Sequence, residues 1–512
     1  MIHNRTLWLA LSATLVIYGC GNSSQPAASM SATSPSRGQL LQSPPTEAGT
    51  FSAGDLLADL TGGAMGSELQ QLLQQLPLSV GCTVTIYHLE YQTVGGTNEP
   101  ATASGALMVP SGVACAGPSP IVLYAHGTTP DKGFNIADMG ASDNAEGLLL
   151  ALLFASEGYI VVAPNYAGYD TSDLPYHPYL NGAQQSKDMI DCLTAAQTAL
   201  ATLGVSSNHK VFITGYSQGG FVAMQTHSAM QAAGMTVTAS APMSGPYALA
   251  AFGDAVFEGE VGSSETENVV LLTTSYQHSY GNVYANATDL FEAPYAAGAD
   301  ELLPSTTPIS TLYSEGKLPQ SALFSSTPPA PQYAALTPAT PLATQPANLA
   351  LVFAQGFGTG NLVTNSYRET YIQDAQAQPD GGFPTVTTGL PAAAPVTGIR
   401  DDLKLNDLRD WVPAAPVLLC AGANDPTVFY INTELMQDYW TKNAPTSASI
   451  SVLDVDSPAT VGDPYAVEKV GFAAAKAAAQ VTGGDAGVLA DYHATLVPPF
   501  CFFAVKSFFD SH

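Results

Sequence analysis

The chain has 512 residues, enough for one large core or two modest ones. It carries 42 acidic against 14 basic residues, a formal charge of −28, so its surface repels phosphate backbones and argues against nucleic-acid binding. An apolar content of 46% is that of a globular protein, and the acidity with few lysines suits an exported one.

Taken in order, the chain opens on an export signal. Arg5 supplies the positive end, and the apolar run Leu7 to Tyr18 is too short for a permanent membrane helix. Residues 1–19 therefore read as a signal peptide. Ile17-Tyr18-Gly19-Cys20 resembles the lipobox of bacterial lipoproteins, which implies acylation of Cys20 after cleavage and anchoring in a membrane. Ordinary cleavage without a lipid stays open. Residues 20–50, rich in Ser, Pro, Gln and Ala, read as a tether. Gly21 is not the aspartate associated with inner-membrane retention. The expectation is thus a bacterial outer-membrane lipoprotein, or else a secreted or periplasmic protein.

From about residue 83 strands and helices alternate. Thr83 to Val94 and Ala103 to Val109 read as β, Pro120 to Ala125 as a buried strand, and Asn144 to Glu157 as a helix. Tyr159 to Ala163 is another buried strand, Ala183 to Leu203 a long helix, and Lys210 to Thr214 the strand before Gly215-Tyr216-Ser217-Gln218-Gly219-Gly220. A helix-like stretch follows, then a strand at Thr236 to Pro242. The rhythm breaks between 247 and 410, where Pro, Thr, Ala and Tyr are frequent and no strand series is evident. It resumes with strands at Pro416 to Cys420 and Ala448 to Val455 and helices at Ile431 to Lys442, Glu468 to Val481 and Val497 to Phe509. The fold class is therefore α/β, a mostly parallel sheet flanked by helices. Its core is divided into 51–246 and 411–512 by an inserted cap, 247–410.

Besides Cys20 there are five cysteines, so at most two disulfides form. Cys82 with Cys115 is the preferred pair, and Cys420 with Cys501 a further one. No C-x-x-C pair or histidine cluster offers a metal site, and no cofactor is expected.

The chemistry centres on Ser217. A serine flanked by glycines, between a strand and a helix, sits on a tight turn that lifts its hydroxyl clear of the sheet. The same turn aims the Gln218 N–H at whatever the serine attacks. A serine needs a histidine to take its proton, and that histidine an acid to fix its tautomer. Parallel-sheet hydrolases order these as Ser, acid, His. Of the histidines after Ser217, His227 lies in the helix behind it, His278 in the cap and His512 at the terminus. His493, ahead of the last apolar helix, is the candidate base. Asp425, just past the strand Pro416 to Cys420, is the candidate acid; Asp454 and Asp456 are fallbacks. The second oxyanion donor is placed at Thr128, in His126-Gly127-Thr128, with His126 packing beneath the loop.

Together HGT, GYIVVAPNYAGY, GYSQGG, LRDWVPAAPVLLCAGANDPTV and YHATLVPPF resemble the α/β-hydrolases, and most closely the secretory lipase and esterase group typified by Candida antarctica lipase A. The resemblance implies hydrolysis of small-molecule or lipid carboxylic esters, with Ser217, Asp425 and His493 as triad. A serine peptidase or aminoacyl hydrolase on the same fold, and a noncatalytic surface adhesin, are the alternatives. Within the cap, Phe252, Phe257, Tyr276, Tyr280, Tyr284, Phe291 and Tyr295 accompany only five basic residues. That composition favours an apolar acyl chain over an anionic substrate, unless the rings only build the cap's own core.

Overall fold

The computed structural model describes residues 36–62, 81–141, 144–337, 349–380, 389–445 and 449–512. Residues 1–19, read from sequence as a signal peptide, Cys20, and the part of the expected tether up to residue 35 lie outside them. Eleven strands are assigned among the described residues. These are β1 (Thr46–Phe51), β2 (Thr83–Val94), β3 (Pro100–Ser111), β4 (Ser119–Ala125), β5 (Ile160–Pro164), β6 (Ser207–Tyr216) and β7 (Ala239–Met243). Two-residue β8 (Phe324–Ser325) and β9 (Phe357–Gly358) pair only with each other, and β10 (Val417–Ala421) and β11 (Ile450–Asp454) follow.

Nine of them form one sheet in the order β1-β2-β3-β5-β4-β6-β7-β10-β11. β1, β2 and β3 are antiparallel neighbours and β3 joins β5 antiparallel. From β5 onward all pairs are parallel. The parallel strands β5, β7 and β10 are buried along their whole length, which is why their sequences are apolar runs without alternation. Helix Gly182–Leu203 packs with Gln218–Ala232, and helix Ala145–Leu153 with Ala53–Gly62 and Val497–Asp510. The last helix buries Phe500, Phe502, Phe503 and Phe509, each contributing roughly 1.5–3 kcal/mol of apolar burial.

Residues 36–50, read from composition as part of a tether, are held against the core. Arg37 pairs with Asp191 at 2.8 Å, the Gly38 and Leu41 N–H groups each donate at 2.8 Å to the carbonyls of Gln92 and Glu90, and β1 adds an edge strand. β1 is held by backbone bonds and is mostly exposed, so its sequence, TEAGTF, lacks the apolar alternation that marks a half-buried strand.

Between β7 and β10 lies the cap, mostly helical, including Leu249–Phe257, Glu265–Ser279, Asn365–Ala377 and Gly398–Leu405. Residues 338–348 and 381–388 of the cap fall outside the described residues. Buried charge ties the cap together. Arg400 bonds both oxygens of Asp254 (2.8 and 2.7 Å), and Arg409 bonds Asp380 and Asp407 (2.6 and 2.8 Å). Arg368 is buried with its guanidinium over the rings of Phe324 and Phe357. These bases are consumed inside the cap.

Both cysteine pairs are disulfides, Cys82–Cys115 and Cys420–Cys501, and Cys192 is left as a buried thiol. Burial pushes that thiol well above its usual range, which disfavours the nucleophilic thiolate. The Cys420–Cys501 bridge ties β10 to the final helix across 81 residues. Replacing both with serine removes a long-loop crosslink and is predicted to cost about 4 kcal/mol; a denaturant titration with an unshifted midpoint would contradict this.

Candidate active site

Ser217 stands between β6 and helix Gln218–Ala232 with φ 58° and ψ −121°, a left-handed backbone that a serine rarely adopts. Such a conformation costs about 1–3 kcal/mol and persists because its surroundings fix it. The Ser217 N–H donates to the Met243 carbonyl of β7 at 3.0 Å, and its own carbonyl accepts from the Gly220 N–H at 2.9 Å. A Cβ on Gly219 would lie 1.9 Å from the Ala125 carbonyl oxygen of β4, and one on Gly215 2.3 Å from the Gly219 carbonyl oxygen. Only glycine lets the turn settle this deeply between β4 and β7.

The structure brings Ser217, His493 and Asp425 together from three separate segments of the chain. His493 Nε2 lies 2.8 Å from Ser217 Oγ, and His493 Nδ1 lies 2.7 Å from Asp425 Oδ2. The other Asp425 oxygen accepts the Thr427 and Val428 N–H groups at 2.9 and 3.0 Å, and its side chain is 0% exposed. His493 sits on a π-helical turn, Tyr492–Leu496, and its carbonyl accepts from the Tyr216 hydroxyl at 2.5 Å. The residue before the serine therefore anchors the histidine backbone. Neither fallback acid reaches His493. Asp454 accepts the Ala423 N–H at 3.0 Å, and Asp456 pairs with Lys476 while accepting from the Tyr492 hydroxyl at 2.6 Å. Both brace the loop that carries Asp425. His227 bonds Ser240 behind the sheet, His278 stacks on Tyr176, and His512 folds back on the last helix.

Gln218 and Thr128 line the same cavity as the serine, and no acceptor meets either N–H among the described residues. The Gln218 side chain is turned aside, donating from Nε2 to His177 Nε2 at 2.7 Å, while His177 Nδ1 donates to the Ala167 carbonyl at 2.9 Å. Burial holds His177 down to about 3, so it stays neutral. The Thr128 hydroxyl and the Tyr179 hydroxyl share a 3.0 Å bond. His126 lies buried beneath the loop between the Gly127 and Asn165 carbonyls, stacked on Tyr166, and burial lowers it to about 4.

One residue at the site escaped the sequence reading. Glu146, in the first turn of Ala145–Leu153, accepts from the Tyr124 hydroxyl at 2.5 Å and from the Gly127 N–H at 3.2 Å. Its signal was present, as the one charge in the apolar helix AEGLLLALL that follows the HGT loop.

Ser217, Gln218 and His493 open into a cavity of about 490 Å³ between sheet and cap. Its walls are largely apolar, with Leu149 from the core and Leu249, Phe252, Phe257, Leu272 and Leu403 from the cap. The cap's rings thus serve both purposes: Phe252 and Phe257 face the cavity, while Tyr276 and Phe291 are buried. None of the five basic cap residues lines it, but Glu146, Glu265 and Glu267 do. Burial raises all three carboxyls, Glu146 to about 7 and Glu265 to about 8. Glu265 Oε1 has no partner among the described residues, and Glu267 accepts from the Tyr313 hydroxyl.

Comparison with known proteins fits this architecture. A model of the prolyl oligopeptidase family matches residues 149–281, which include Ser217 but end before Asp425 and His493. No curated protein matches the chain. Among solved structures, a variant of the rice cell wall degrading esterase LipA from Xanthomonas oryzae superposes with a TM-score of 0.66. The two are 24% identical, over 93% of this chain and 99% of that one. Another structure of that esterase gives 0.61 at 25% identity, covering 90% and 99%. Candida antarctica lipase A in its closed state gives 0.45 at 13%, covering 82% and 76%. The fold is that of the α/β-hydrolases, shared by esterases and peptidases.

The buried titratable groups set how stability follows pH. Glu146, Glu265, Glu260 and Asp188 hold their protons more tightly folded than unfolded, near 7, 8, 8 and 7 against ordinary values of 4.5 or 3.8. Their ionisation therefore weakens the fold as pH rises toward about 8. Buried His126, His177 and His227 oppose this only below their unfolded value of 6.5, where unfolding lets them take a proton. Between pH 6.5 and 8.5 the carboxyls act alone. The melting temperature is predicted to fall across that interval, and Glu265→Gln to flatten the decline; a melting temperature that rises with pH would contradict it.

Proposed function

We propose that this α/β-hydrolase is a serine esterase, cleaving carboxylic esters through an acyl-enzyme on Ser217. The observation that supports this most is the unbroken pair of hydrogen bonds, 2.8 Å from Ser217 Oγ to His493 Nε2 and 2.7 Å from His493 Nδ1 to Asp425. Ser217 donates its proton to Nε2 as Oγ attacks the ester carbonyl. Asp425, held by two backbone N–H groups, keeps the imidazole in the Nδ1–H tautomer and stabilises the imidazolium that forms. The Gln218 and Thr128 N–H groups are the oxyanion donors in this reading. His493 then protonates the departing alcohol, and a water activated by the same imidazole releases the acid.

The cavity favours a neutral, largely apolar acyl group. Three carboxyls, each pushed toward its neutral form by burial, and no basic side chain among the described residues line it, so an anionic substrate would find no counter-charge in an apolar space. A peptidase reading has its own support in the prolyl oligopeptidase match, but that match covers only the serine's part of the site. The same proposal places the enzyme outside the cytoplasm, anchored through a lipid on Cys20. The two disulfides support an oxidising compartment.

Two variants test the assignment. Ser217→Ala is predicted to lower p-nitrophenyl ester hydrolysis by roughly 10⁴-fold or more with unchanged circular dichroism. Asp425→Asn, which presents the wrong tautomer to His493, is predicted to lower kcat by about 10²–10⁴-fold. Residual activity near that of the parent in either variant would overturn the roles. Faster turnover of aminoacyl p-nitroanilides than of matched esters would favour the peptidase.

A further inference from the structure

Thr128 donates from a loop that nothing covalent restrains, and the residue before it is a glycine. Gly127 has no side chain to limit its backbone; the peptide that presents the Thr128 N–H is held on its carbonyl side by His126 Nδ1, 2.7 Å from the Gly127 oxygen, and its direction depends further on the peptide before it. Two contacts fix the preceding peptide. The His126 carbonyl accepts from the Tyr166 hydroxyl at 3.0 Å, and the Gly127 N–H donates to both Glu146 oxygens at 3.2 Å. The carboxyl approaches so closely that a Cβ on Gly127 would sit 2.9 Å from Glu146 Oε1. That Cβ would also lie 3.8 Å from Ser217 Cβ, so this peptide is beside the nucleophile. Glu146 is itself held, by the Tyr124 hydroxyl at 2.5 Å and by its place in a helix capped by Asn144.

We propose that Glu146 is a positioning residue of the oxyanion loop: by accepting the Gly127 N–H it fixes the peptide immediately before the one that, together with His126 Nδ1 on the Gly127 carbonyl, presents the Thr128 N–H beside Ser217. This rests on the esterase reading of the site. Glu146 touches no reacting atom. Its oxygen occupies the Gly127 N–H and leaves the next N–H along the chain as the donor. A buried, unpaired Gly127 N–H would otherwise be free to seek another acceptor, and the peptide before the Thr128 donor would keep only the Tyr166 hydroxyl as a hold. What matters is an acceptor oxygen at this point. A glutamine keeps that oxygen and loses only the charge.

The test is the second-order rate at which a fluorophosphonate labels Ser217. The probe's phosphoryl oxygen uses the same two donors, and no natural substrate has to be known. Glu146→Leu, or Glu146→Ala if the larger change does not fold, is predicted to slow labelling by about tenfold or more. Glu146→Gln is predicted to stay within about threefold of the parent, with the melting temperatures of all variants recorded alongside. Labelling of the Leu or Ala variant at the parent rate overturns the inference while leaving the esterase reading intact. A glutamine variant as slow as the leucine variant also overturns it, since charge and not acceptance would then be what the loop needs. If the parent protein itself does not label at Ser217, both readings fall.

Discussion

The site depends on how closely two backbones approach at the carboxyl end of β6. The Ser217 turn presses against the last carbonyls of β4 and β7, and a methyl group at Gly215, Gly219 or Gly220 would collide with backbone oxygen. This contact forces the serine into a positive-φ conformation, starts the following helix at once, and leaves the Gln218 N–H without an intrahelical partner. It also brings Tyr216 to the backbone of His493, so the residue before the serine helps position the histidine. Packing energy from the buried strands is what maintains the strained turn.

Parallel strands then do the assembling. Thr128, Ser217 and Asp425 follow β4, β6 and β10, whose carboxyl ends share one rim because the strands run in the same direction. His493 arrives from a π-helical turn ahead of the last helix, itself bridged to β10 by Cys420–Cys501. Buried arginine–carboxylate pairs inside the cap consume its positive charge and leave carboxyls on the cavity side. An apolar space with acidic edges follows from that division.

Much of this was legible in the sequence, for physical reasons that differ by element. Apolar runs such as PIVLYA and PVLLC mark strands buried on both faces, and the glycines around Ser217 mark a turn that tolerates no Cβ. Asp425 and His493 could be found because residue type, chain order and position after a strand coincide. β1 was missed because it is an exposed edge strand held by backbone bonds, which leave no trace in side-chain pattern. Glu146 was missed because its partner is the Gly127 N–H, a group every residue but proline carries. The cap's helices are joined by charge pairs far apart in sequence, and no periodicity announces those.

The most direct test of the account is to quench the enzyme rapidly during turnover of a p-nitrophenyl ester and map the modified peptide by mass spectrometry. The account predicts one added acyl mass, located on Ser217, that disappears as the ester is exhausted. An acyl group on another side chain, or steady hydrolysis with no acylated Ser217 at any time, would contradict it.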